Sequence, residues 1–90
     1  MDPEIHTLFS NMISHAKSQK PLYSEMVSDI ISRKSNDRME IERILDLLLD
    51  LCFLEDFVEL FGKLCRYYWD IDPAATARYI NYYREEWDSE

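Results

Sequence analysis

The run "RMEIERILDLLLDLCF", residues 38–53, constrains this chain more than any other stretch. At about 100° per residue, Glu42, Arg43, Asp46 and Asp50 gather in a wedge of roughly 100°, and apolar side chains occupy an arc of roughly 220°. Phe53 is the exception and falls in the polar wedge. A helix resting on a single neighbour needs a much narrower stripe. A central helix over residues 37–53 is therefore expected, covered on two sides by other helices or by a second subunit.

The rest of the chain supplies helices to do the covering. Only one glycine and three prolines occur in 90 residues. Sandwiches and barrels need many tight turns with positive φ, so this scarcity points to helices joined by short connections. Asp2 can cap a first helix opened by Pro3. Its apolar residues Ile5, Leu8, Phe9, Met12, Ile13 and Ala16 follow the i, i+3, i+4 pattern. Pro21 opens a second, with Leu22, Tyr23, Met26, Val27, Ile30 and Ile31 on its apolar side. "RKSND" breaks the chain, and Asp37 with Glu40 has capping-box spacing for the third helix. Asp56 and Glu59 repeat that spacing, which favours a break at "FLED" and a fourth helix, "FVELFGKLCRYYW". One bent helix over 37–69 is the competing possibility. Asp72–Pro73 starts the last helix, because the residue before a proline resists helical angles. The expected fold is a single all-α domain over residues 1–90, a compact bundle of four to five short helices, possibly dimeric.

Composition removes several function classes. The net charge is −8. Residues 1–45 carry six Lys/Arg against seven Asp/Glu, and residues 46–90 carry four against eleven. Direct nucleic-acid binding rests on phosphate neutralisation, which an acidic domain opposes. Arg33, Lys34, Arg38 and Arg43 are the only loose basic grouping, and Asp37, Glu40 and Glu42 interrupt it. The leucine-rich run contains Asp46 and Asp50 and is too short to span a membrane. The acidic start "MDPEI" does not resemble a secretory signal, and two thiols in apolar helix sides suit a reducing compartment. A cytoplasmic location is expected.

No catalytic, cofactor or metal site is expected. His6, His15, Cys52 and Cys65 lack the close pairings that zinc requires, and Asp46 with Asp50 offers too few oxygens for calcium. The chain has no glycine-flanked serine elbow, and one glycine cannot build a phosphate-cradling loop. Enzymatic activity is not expected.

What remains is the aromatic stretch "RYYWDIDPAATARYINYYREEW". On the fourth helix Phe57, Phe61, Leu64 and Tyr68 share a face. On the last, Ala77, Ile80, Tyr83 and Trp87 form a stripe. Tyr68, Ile80, Tyr83 and Trp87 are thus expected in the core, and Tyr67, Trp69, Tyr79 and Tyr82 at margins or outside. Exposed Tyr and Trp beside Arg66, Arg78 and Arg84 match the composition of interface hot spots. Three function classes follow. The first is a regulatory module binding another protein through Tyr67, Trp69, Tyr79, Tyr82, Arg66 and Arg78, with a homodimer expected through the apolar arc of the third helix and the edges of the fourth. The second is an inhibitor imitating nucleic acid, since Glu42, Asp46 and Asp50 form a carboxylate row that Glu55, Asp56 and Glu59 could prolong. The third is a helix-turn-helix DNA binder, which the charge opposes.

Overall fold

The computed structural model describes residues 3–87, the side chains of Pro3 and Ile5 excepted. Five helices follow one another: α1 (Pro3–Ser18), α2 (Lys20–Ser32), α3 (Arg38–Asp50), α4 (Glu55–Trp69) and α5 (Pro73–Trp87). No strand occurs among the described residues. The all-α bundle is as the sequence implies, and the break between α3 and α4 excludes the single bent helix. None of these helices is long and apolar enough to cross a membrane.

Each junction has a local cause. The α1–α2 joint is one residue, Gln19, whose own backbone is helical (φ −84°, ψ −10°), with Pro21 close behind. α2 ends in a Schellman motif: Lys34 takes φ 54°, Lys34 N–H donates to the Ile31 carbonyl, and Ser35 N–H donates to that of Ile30. Asp37 caps α3 by accepting from the backbone N–H of Met39 and Glu40, at 3.1 and 3.3 Å. The Glu40 side chain turns to Arg33, 2.6 Å away, so the other half of the expected capping box is replaced by an ion pair. The box expected at Asp56 and Glu59 does not form. α4 starts one residue before Asp56, Leu54 is its N-cap, and no side chain caps it. Asp72 closes the last junction. Its carboxylate accepts from Ala75 N–H at 3.0 Å, and its carbonyl accepts from the Thr76 hydroxyl at 2.8 Å. The cap expected from Asp2 lies outside the described residues.

The core is one cluster drawn from α2 to α5. Ile41, Ile44, Leu45, Leu48 and Leu49 of α3 are buried, whereas Leu47 in the same apolar arc is exposed, so the covered arc is narrower than the sequence implies. α3 packs on α2 and α4. Yet α4 meets three helices, α2, α3 and α5, and α2 likewise meets α1, α3 and α4. The expected central helix 37–53 therefore ends at Asp50 and shares its role with α4. Phe53, in the turn after it, stays exposed beside the Trp87 ring, 6.2 Å between centroids.

Two further expectations need correction. On α5 the buried residues are Ala75, Thr76 and Tyr79, with Ile80 and Tyr83 half-buried. The helix is thus rotated from the expected Ala77–Ile80–Tyr83–Trp87 stripe, and Trp87 is 38% exposed. Polar ties fix the rotation: Trp87 Nε1–H donates to the Leu49 carbonyl at 2.9 Å, and the Tyr79 hydroxyl donates to the Glu42 backbone carbonyl at 3.4 Å. The second correction concerns α1. Its stripe is amphipathic as read, but Leu8, Phe9 and Met12 are 64, 61 and 64% exposed. Ala16 is buried near the joint with α2, the only helix on which α1 packs substantially. This arm gives the molecule a radius of gyration of 14.5 Å, against about 12 Å for a compact chain of this length.

Candidate protein interface

A groove of about 320 Å³ runs along the outer side of the α4–α5 pair. α4 supplies Val58, Phe61, Gly62, Cys65 and Trp69, and α5 supplies Thr76, Ile80 and Tyr83. The α4 set recurs every three or four residues, so one side of that helix lines the groove over three turns. Phe61 and Tyr83 stack across it, 5.8 Å between centroids and 27° between planes. Arg66 stands at the rim and Trp69, half exposed, closes one end.

The walls are chemically quiet. The Thr76 hydroxyl is satisfied by the Asp72 carbonyl. Burial pushes the Cys65 thiol up to about 12, so it stays protonated and uncharged at neutral pH. Cys52, buried on the α3–α4 turn, is likewise pushed up to about 12 by burial. A thiol in that state is a poor nucleophile and a poor metal ligand. No group of three or more His, Cys, Asp or Glu among the described residues could hold a metal ion.

Gly62, the chain's single glycine, is the feature that sequence reasoning passed over. It lies in the interior of α4, where glycine costs about 0.8–1 kcal/mol relative to alanine. Its φ is not positive, so no backbone requirement explains it. A Cβ built there would meet only the tip of the Arg66 side chain, at 3.8 Å, an ordinary contact. Nothing inside the protein needs this position to be bare. A glycine in mid-helix with no turn to make was the signal available in the sequence. Val58, Ile80 and Tyr83 had no such mark.

The six residues expected to grip a partner do not form one surface. Arg66 and Trp69 border the groove, and Arg78 is exposed on α5. Tyr67 points elsewhere, its hydroxyl donating to the Ser35 carbonyl and holding the α2–α3 turn against α4. Tyr79 is only 6% exposed and belongs to the core, not to a contact surface. Its phenol is raised above the ordinary value by burial, then by the Asp46 carboxylate beside it. Tyr82 is exposed and meets Tyr79 edge to face at 5.8 Å.

The acidic residues are also divided. Glu42 accepts a hydrogen bond from the Tyr68 hydroxyl, and burial followed by that bond raises the phenol. Asp56 faces Lys20 at 3.9 Å, and with Glu59 it shares a cleft with Lys63 and Arg66. Glu42, Asp46, Asp50, Glu55, Asp56 and Glu59 therefore do not make a row free of cations. The basic grouping is also engaged: Arg33 bridges Asp29 and Glu40, and Arg38 lies 3.6 Å from Asp72. Comparison with family models, curated proteins and solved structures gives no match, so the functional reading rests on this geometry.

Proposed function

We propose that this protein is a binding module, not an enzyme, that captures an amphipathic helix of a protein partner in the groove between α4 and α5. The observation that carries the reading is Gly62 on the α4 edge of the groove, shared with the neighbouring cleft, where a side chain would fit and would stabilise the helix. Bare backbone at such a point is useful when something approaches closely from outside. The flanking chemistry supports it: half-buried Tyr83 backed by the buried Phe61 ring, an exposed tryptophan and an arginine are residue types that helix-in-groove recognition uses. The interleaved cations on α4 count against imitation of nucleic acid. An α3 buried on two sides and with a net acidic surface counts against insertion into a DNA groove.

The test is a titration of peptides that carry apolar residues at helical i, i+3/i+4, i+7 spacing, read by Trp69 emission. Binding shifts the emission to the blue, and Trp69→Phe silences the signal. Gly62→Leu abolishes the shift while circular dichroism stays unchanged, and Tyr82→Ala, which lies outside the groove, leaves it intact. Equal binding by wild type and Gly62→Leu would refute the reading, as would a complete lack of response.

A further inference from the structure

We infer that the end of α5, residues 80–87, is a latch that opens while the rest of the bundle stays folded, with Trp87 as its catch and Cys52 beneath it. Such a latch works whatever the α4–α5 groove binds.

α5 is held unevenly along its length. Its first half buries Ala75, Thr76 and Tyr79, and Asp72 fastens its start through the Ala75 N–H and the Thr76 hydroxyl. From residue 80 onward no described side chain is buried: Ile80 and Tyr83 are half-buried, and the others as far as Trp87 are exposed. The specific ties of this half to the rest of the bundle are the Phe61–Tyr83 ring pair and the contacts of Trp87.

Trp87 is placed to act as a catch. Its Nε1–H donates to the Leu49 carbonyl at 2.9 Å, and the same carbonyl accepts from Cys52 N–H at 3.2 Å. That carbonyl lies in the last turn of α3, where intrahelical partners run out. The Trp87 ring also lies beside Phe53, the residue after Cys52. One side chain thus joins the end of α5 to the turn that carries Cys52. The thiol itself is enclosed: Cys52 is buried, its Sγ stands 4.0 Å from the Phe57 carbonyl, and the Glu86 carboxylate of α5 adds to the effect of burial on it.

Opening gives up little. It breaks the Trp87 hydrogen bond and separates rings of which Phe61 alone is buried. Segments with few buried contacts open locally at free energies well below that of global unfolding. α2, α3 and α4 each pack on the other two, so they hold together without this half of α5.

Iodoacetamide labelling of Cys52 in the full chain at pH 8, followed by peptide mass spectrometry at urea concentrations below the unfolding transition, tests this. A local opening exposes little surface, so the rate is expected to be nearly flat in urea, whereas labelling through global unfolding climbs steeply. Trp87→Phe keeps a ring beside Phe53 but removes the donor, and is expected to speed Cys52 about fivefold, the worth of one hydrogen bond. Ile30→Val, in the core on a helix that does not pack on α5, raises the global unfolding constant by a comparable factor. It is expected to leave the Cys52 rate unchanged, because the open and closed forms keep that contact alike. A Cys52 rate as steep in urea as unfolding overturns the latch, and needs no variant to do so. Acceleration by Ile30→Val equal to that by Trp87→Phe also overturns it, since labelling then follows global unfolding. No effect of Trp87→Phe removes the catch and the inference with it.

Discussion

α1 and α3 are both amphipathic helices with apolar residues at i, i+3 and i+4, yet they end in opposite environments. Ile41, Leu45 and Leu48 of α3 are fully enclosed by α2 and α4, whereas Leu8, Phe9 and Met12 of α1 face outward. Periodicity identifies which side of a helix is apolar. It carries no information about what covers that side. The width of the stripe carries more: the arc of α3 demands two neighbours, and the narrower stripe of α1 can be met by one, from the same chain or another.

The sharpest way to break this comparison is to truncate one side chain on each helix. Leu48→Ala should destabilise the protein by about 2–5 kcal/mol, because it opens a cavity in an enclosed site. Leu8→Ala should change the stability of the monomer by less than about 0.5 kcal/mol. Denaturant titration at low protein concentration, where self-association does not contribute, measures both. Similar losses would mean that α1 is packed more firmly than its exposure implies.

A smaller effect sharpens the account of the body. Tyr68→Phe removes the hydrogen bond to Glu42 and should cost about 1–2 kcal/mol. Smaller again, and of opposite sign, Gly62→Ala should stabilise the monomer by about 0.5–1 kcal/mol. If Gly62→Ala is instead destabilising, the bare position has an internal role and the groove loses its main support.

The two thiols give the smallest effect near neutral pH and report on the body alone. Both are pushed from an ordinary value of 9.0 up to about 12 by burial. The folded state therefore holds protons that the unfolded chain has already released between those values. Their contribution to stability is complete below about pH 9 and falls as pH rises toward 12. Urea midpoints taken at pH 8 and pH 10.5 should show the fall. Alkylation at pH 8 should be slow in native protein and fast in urea, and Phe9→Asp should leave it unchanged.

Much of the fold was legible because its boundaries are chemical. Asp72–Pro73 and the Asp37 cap each mark a junction through a backbone hydrogen bond to a carboxylate, whereas the α3–α4 turn at residues 51–54 carries no side-chain cap and was only approximately placed. The orientation of α5 was not legible. Tyr79, Tyr82 and Tyr83 put aromatic rings on several sides of one helix, so burial there was decided by the polar ties of Trp87 to Leu49 and of Tyr79 to Glu42, which pair residues far apart in the chain. The candidate site was half legible. Arg66 and Trp69 were marked by composition, but a groove is a relation between two helices, and Val58 and Ile80 join it only once α4 and α5 are docked.

The order in which helices meet also sets how the molecule assembles. α2 packs on α3, α3 on α4 and α4 on α5 across short loops, and α2 also packs on α4 across the length of α3, so most but not all of the interfaces are local. Small closures carry little entropic penalty, and helical bundles of such topology collapse to the native state in microseconds to milliseconds. The tethers from Tyr67, Tyr79 and Trp87 span the longest separations, and they lock a topology that shorter-range encounters have already drawn together.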